Sequence, residues 1–328
     1  MKKHTQKGFL VALLMVFTFA ANSHAATQLK FLSAFQPNFI FNTGCTNNMI
    51  KNLEELSGGQ FKIRQFGPDV IPTFEQFQPL QSGVFDLSFT HATYHAGTIG
   101  VGVGMDATIA DPVKRRESGL FDFLDKEYNK LGVKLVSLPP VAPYHFITRN
   151  AVNSQGSSLQ GLKMRSNPSL QNTILALGGS PVTMAGGEVY TSLQKGVIDG
   201  AAWTLVGVKD FKWQEVAKYM VRPTFGSISM MITMNLAKYN SLTPEERKWI
   251  DEAGRKTELD SDAFFKKLID EELAYLKTKG MKETTMSPED AKSVEKYWND
   301  GLWKMAKLTS GEAGKQFQEM ALQKGMTR

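Results

Sequence analysis

The chain has 328 residues, 42% of them hydrophobic and 21% charged, with a formal net charge of +6. That length carries two domains with cores of their own, and that composition excludes a disordered or low-complexity chain. The single cysteine, Cys45, excludes an internal disulfide and a cysteine metal cluster, and it is expected to be a buried, inert thiol.

The chain opens with Lys2, Lys3 and Lys7, then an apolar stretch from Phe9 to Ala21, then Ser23-His24-Ala25. This is the pattern of a secretory signal peptide over residues 1–25, cleaved after Ala25. An uncleaved anchor is the alternative, for which the apolar run is short. Cleavage would remove three of the 38 basic residues and lower the net charge from +6 to +3. A slightly basic balance fits an anionic ligand. Nucleic acid is not expected as a partner, because Lys114-Arg115-Arg116 is a lone basic triplet, read as a solvated helix start.

Taken in chain order, Leu29 to Phe35 reads as a strand, Phe39 to Leu56 as a helix stopped by Ser57-Gly58-Gly59, and Phe61 to Phe66 as an alternating strand. Phe74 to Gln81 is a short helix and Val84 to Phe89 the next strand. The order β-α-β-α-β implies a parallel sheet whose sites lie at the carboxyl ends of its strands, near Phe35, His91 and Tyr94. Gly97 to Gly104 is glycine-rich but lacks the spacing of a nucleotide loop, and is expected to be a flexible surface loop. Helix follows from Lys114 to Leu131, then strands at Val133 to Leu138 and Tyr144 to Thr148.

Leu162 to Arg165 is a strand, and Asn167-Pro168 opens a helix closed by Gly178-Gly179. A helix from Gly187 to Lys195 and a strand from Val197 to Trp203 come next, and Met230 to Asn235 is another strand. Thr243 to Lys279 is a helix longer than the globular average, with Glu245 and Glu246 in its first turn. Met281 to Thr285 is a strand, and Ser287-Pro288 starts the last helix.

Arg165, at the end of its strand, suits capture of a carboxylate, because a guanidinium offers a planar fork of donors. Read from the residues alone, pairing with a protein carboxylate stands as an equal alternative.

Several motifs run in one order: S-G-G-Q-F-K-I from Ser57, Q-S-G-V-F-D-L from Gln81, L-Q-G-L-K-M-R ending at Arg165, and Glu188 to Gly200. Trp213 to Tyr219 and Leu242 to Arg247 continue it. In these the chain resembles the substrate-binding proteins of tripartite ATP-independent periplasmic (TRAP) transporters, the DctP-like family. The resemblance implies an α/β, two-domain periplasmic binding protein fold with hinge crossovers and a long domain-spanning helix. It divides the mature chain into residues 26–142 plus 229–268 and residues 143–228 plus 269–328. It implies a periplasmic protein, not an enzyme; no cofactor is expected, and no residue is singled out as a metal ligand. Its partners would be a small-molecule carboxylate and the small and large integral subunits of a membrane transporter.

By the resemblance, Arg165 holds the ligand carboxylate. Other pocket positions depart from better-known members. His145 stands where a second arginine is common, Ala202-Trp203 where Glu-Asn is common, His91 where sialic-acid binders have an acid, and Gly186 where an aromatic occurs. These changes leave one strong anion site in a more apolar pocket, with Trp203, Phe35, Phe39 and Tyr94 as faces and His91 and His145 as polar contacts. The expected ligand is an apolar or aromatic monocarboxylate, a 2-oxo or hydroxy acid among them. A sensory binding protein serving a receptor, or a periplasmic enzyme acting on organic acids, are the alternatives. No H-E-x-x-H or G-x-S-x-G motif supports the enzyme.

Overall fold

The computed structural model describes residues 26–327, and the expected signal peptide lies outside them. Eleven strands run β1 (Thr27–Ser33), β2 (Phe61–Phe66), β3 (Leu87–Thr90), β4 (Val133–Ser137), β5 (Tyr144–Thr148), β6 (Lys163–Ser166), β7 (Ser180–Thr183), β8 (Gly200–Thr204), β9 (Tyr219–Arg222), β10 (Met231–Asn235) and β11 (Lys282–Thr285). The helices are α1 (Asn47–Leu56), α2 (Phe77–Gln81), α3 (Pro112–Glu117), α4 (Leu120–Asn129), α5 (Gln171–Ala176), α6 (Val189–Gln194), α7 (Leu236–Ser241), α8 (Pro244–Thr278) and α9 (Pro288–Gln323).

The strands sort into two sheets. One has the order β2-β1-β3-β10-β4 and the other β11-β9-β5-β8-β6-β7. β1 runs parallel to β2 and β3, whereas β10 enters antiparallel between β3 and β4. In the second sheet β6 runs parallel to β7 and β8, and β5 is antiparallel to β8 and β9. The chain therefore leaves the first sheet after β4, returns to it for β10, and leaves again before β11. Every residue of β5, β8 and β10 is buried. This is a two-lobed α/β architecture, as the length and the family resemblance imply, although β10 makes the first sheet mixed where the alternation implied a parallel one.

α8 links the lobes. Thr243 and Glu246 form a reciprocal capping box at its start, a device worth about 1 kcal/mol. Its first half packs on α1 and β4. Near its far end Glu272 accepts hydrogen bonds from the backbone of Gly207 and Lys209, in the segment after β8. α9 packs both on residues 101–107 of the first lobe and on α5 of the second, and bends at Gly311, where φ is 51°.

Three expectations are corrected here. Residues 101–107 are not a flexible surface loop: they form a 3-10 segment whose seven residues are all buried. The glycines serve close packing. A Cβ on Gly100 would stand 2.8 Å from the Met305 carbonyl oxygen, and one on Gly104 2.8 Å from the Trp303 ring. The basic triplet is not a solvated helix start either. Arg115 is buried, with Nε and Nη2 donating to the carbonyls of Ile109 and Met105, and Arg116 pairs with the buried Glu258 at 2.6 and 2.8 Å. Lastly, the helix from Lys114 to Leu131 is two helices, α3 and α4, broken at Gly119, whose φ of 81° a helix interior does not allow. Cys45 is buried, and burial pushes its thiol far above the ordinary range, so it stays protonated and unreactive.

Candidate functional site

Arg165 sits near the carboxyl end of β6, in register with Val182 of β7 and Ala201 of β8. Its side chain is 1% exposed. Nε donates to the Met184 carbonyl and Nη1 to the Ala202 carbonyl, each at 3.1 Å. The guanidinium carbon lies 4.6 Å from the centre of the Trp203 ring, a cation–π distance. Burial lowers its proton affinity, and Tyr94, Tyr144 and Glu188 act the other way. A guanidinium stays charged under any such shift. Among the described residues no carboxylate comes within ion-pairing distance of it, so the geometry does not show the protein-carboxylate pairing that the residues alone left open. Among the described residues, Nη2 and one N–H of Nη1 have no protein acceptor.

Arg165 also lines a small cavity. Arg165, Trp203, His91 and Tyr94 line it together with Phe41, Tyr144, Asn167, Thr204, Ile228 and Met230. Trp203 lies nearly parallel to Phe41, with ring centres 6.3 Å apart, and edge-on to Trp213 at 5.1 Å. Its indole Nε1 is buried and has no hydrogen-bond partner among the described residues. Gly186 makes room for this ring, since a Cβ there would lie 2.7 Å from Trp203 Cη2. Burial pushes Tyr94 up to about 12 despite the nearby Arg165 charge, so its hydroxyl stays protonated. The His91 Nε2 lies 2.7 Å from Asp106 Oδ2, both residues being buried.

Phe35, Phe39 and Gly186 line an outer cleft that meets the cavity at Tyr94. Asn42 shapes the loop carrying the two phenylalanines. Its Nδ2 donates to the carbonyls of Phe35 and Gln36, and its Oδ1 accepts from Ser33 and Thr46. From this loop Phe39 reaches the other lobe and stacks on Phe211 with centres 4.5 Å apart. Beside it the Ile40 amide donates to Asp210 at 3.1 Å. Burial raises the Asp210 carboxyl, and the Ile40 amide and Lys209 lower it. The two lobes thus touch across the cleft.

His145 stands apart from both linings. It is buried, with Nδ1 3.3 Å from Arg222 Nη1, and burial then the Arg222 charge lower it to about 3. Sequence reasoning did not single out Phe41, Tyr144, Asn167, Thr204, Ile228 or Met230. The strand pattern had placed Tyr144 at the start of β5, but it does not say which strand ends face the cleft. Asp199 receives the Lys163 amide at 2.9 Å and so ties the start of β6 to the turn before β8.

The description of one protein family, "Bacterial extracellular solute-binding protein, family 7" (DctP), matches residues 33–307. The chain belongs to this family. It is therefore an extracytoplasmic solute-binding protein of the TRAP type. The uncharacterized protein YiiZ of Salmonella typhimurium is 26% identical over 83% of this chain and 86% of its own length. The 2,3-diketo-L-gulonate-binding periplasmic protein YiaO of Escherichia coli is 24% identical over 59% of this chain and 61% of its own. Among solved structures, a TRAP periplasmic solute-binding protein from Desulfovibrio salexigens with bound orotic acid has a TM-score of 0.81 at 20% identity, covering 90% of this chain and 98% of that one. A Bordetella pertussis extracytoplasmic solute receptor binding pyroglutamic acid has a TM-score of 0.79 at 17% identity, covering 90% and 99%. At such identities the structures establish that the DctP fold is shared.

Proposed function

We propose that this protein, cleaved after Ala25 and released into the periplasm, captures an organic acid through an Arg165–carboxylate salt bridge. It delivers the acid to the small and large integral subunits of a TRAP transporter, without transforming it chemically. One lobe comprises residues 26–142 and 229–268, the other 143–228 and 269–328, and they close on the ligand. The observation that carries this reading is the buried Arg165 guanidinium, which lines a cavity and, among the described residues, has N–H groups without an acceptor and no carboxylate within ion-pairing distance. A buried charge without a partner is costly, and a ligand carboxylate would supply the partner. The aromatic walls favour a monocarboxylate with an apolar or aromatic body, a 2-oxo or hydroxy acid among them. Among the ligand-lining residues we count Arg165, Trp203, His91, Tyr94, Phe35, Phe39 and Gly186. His145 acts at most through Arg222.

Thermal-shift screening of refolded, ligand-free protein against a panel of organic acids tests the reading, repeated with Arg165→Ala. A ligand that binds only the folded state raises its melting temperature. Aromatic and apolar monocarboxylates should stabilise the wild type and leave the variant unshifted. Stabilisation by dicarboxylates or sugar acids alone would refute the proposed ligand class, and an acid that shifts both proteins equally would refute the salt bridge.

A further inference from the structure

His91 lines the cavity, and the groups behind it fix how its ring is used. Its Nε2 lies 2.7 Å from Asp106 Oδ2, and the other Asp106 oxygen accepts the Ser229 backbone N–H at 2.9 Å. Arg115 in turn donates to the Ser229 side chain. An ionised carboxylate has only lone pairs to offer, so the imidazole must be the donor in the His91–Asp106 contact. In the neutral ring that places the proton on Nε2 and leaves Nδ1 as a bare acceptor. Among the described residues no protein group donates a hydrogen bond to Nδ1. On the same cavity Arg165 offers only donors.

We propose that His91 presents this Nδ1 lone pair to the solute, so that the preferred ligand carries an N–H or O–H donor beside its carboxylate. The proposal rests on the carboxylate reading above and narrows its ligand class. A cyclic amino or imino acid, or a 2-hydroxy acid, satisfies both Arg165 and His91. An acid of the same shape without a donor leaves a buried acceptor unpaired, which costs more than the bond itself contributes. Sites that hydrogen-bond a ligand group discriminate strongly against the analogue that lacks it.

Two measurements test the proposal. The first needs no ligand: nitrogen-15 NMR of protein with labelled histidine, with the His91 signals assigned by their loss in His91→Phe. A ring protonated at Nε2 and bare at Nδ1 is expected, and a ring protonated at Nδ1, alone or with Nε2, overturns the proposal. The second is calorimetric titration with pyrrole-2-carboxylate and furan-2-carboxylate, rings of nearly equal shape that differ in an N–H. The wild type should bind the pyrrole acid at least about tenfold more tightly, the equivalent of one good hydrogen bond. Asp106→Asn can keep accepting from Ser229 while donating its amide to His91 Nε2, which moves the ring proton to Nδ1. The preference should then vanish or reverse, a change that a merely structural role would not produce. Equal wild-type affinities, or an unchanged preference in Asp106→Asn, overturn the proposal. If Arg165→Ala leaves both affinities unchanged, the carboxylate reading fails, and the ratio within the pair still judges His91. Binding of neither acid overturns both.

Discussion

Arg115 in the first lobe and Arg165 in the second are both 1% exposed, yet their guanidinium groups are spent differently. At Arg115 all three nitrogens donate within the protein, to Ile109, Met105 and Ser229. At Arg165 two nitrogens grip backbone carbonyls, while Nη2 has no acceptor among the described residues and the side chain lines a cavity with aromatic rings. The first arginine is consumed in joining residues 105–109 to the strand-leading segment around Ser229. The second is held rigidly by a part of its donor fork, which leaves the rest for a solute. Burial alone does not distinguish a structural arginine from a binding one. The number of donors left over does.

The sharpest way to break this contrast is to remove each guanidinium. Arg115→Met should lower folding stability by about 3–5 kcal/mol, because two buried carbonyls and the Ser229 hydroxyl lose their donors. Arg165→Met should cost less in the ligand-free protein, since only the Met184 and Ala202 carbonyls lose donors and no side-chain hydroxyl does. Urea unfolding of both variants checks this, and equal losses would erase the distinction.

His145 sharpens the comparison from another side. It is a buried basic group on neither lining, held neutral by burial at about 3, below its ordinary value. A folded value below the unfolded one contributes stability that is present above about pH 6.5 and lost as pH falls towards 3, because the unfolded chain takes up the proton first. Over that window the wild type should lose about 1.4 kcal/mol per pH unit more than His145→Gln. Urea unfolding at pH 6 and pH 5 measures the difference, and parallel slopes would contradict a neutral buried ring.

The smallest effect is expected at Gly186. A Cβ there presses on Trp203 at 2.7 Å and on Phe211 at 3.1 Å. Gly186→Ala should displace the indole under Arg165 and weaken binding about tenfold, some 1.4 kcal/mol, with a stability loss of about 1 kcal/mol. Affinity for the best acid from the screen reads this directly, and unchanged affinity would mean that the indole position does not matter.

Much of the fold was legible in the sequence because strands such as Phe61 to Phe66 and Tyr144 to Thr148 carry their own patterns, as does the capped start of α8. β7 and β9 were not legible: each has four residues, and Pro181 interrupts the first. Gly97 to Gly104 was misread because glycine marks both mobility and close approach, and only the position of α9 decides between them. The basic triplet was misread because Glu258, which pairs with Arg116, lies 142 residues away. At the candidate site, a strand-end arginine could be named from local pattern. Its free donors, and the turn of His91 towards Asp106, depend on contacts between distant segments that no local spacing encodes.

The most direct test of the central claim is a crystal structure of the protein with the acid that stabilises it most. The account predicts the ligand carboxylate within hydrogen-bonding distance of Arg165 Nη1 and Nη2, with the ligand body against Trp203. A carboxylate held elsewhere, for example in the outer cleft beside Phe39, with Arg165 still unpaired, would contradict it.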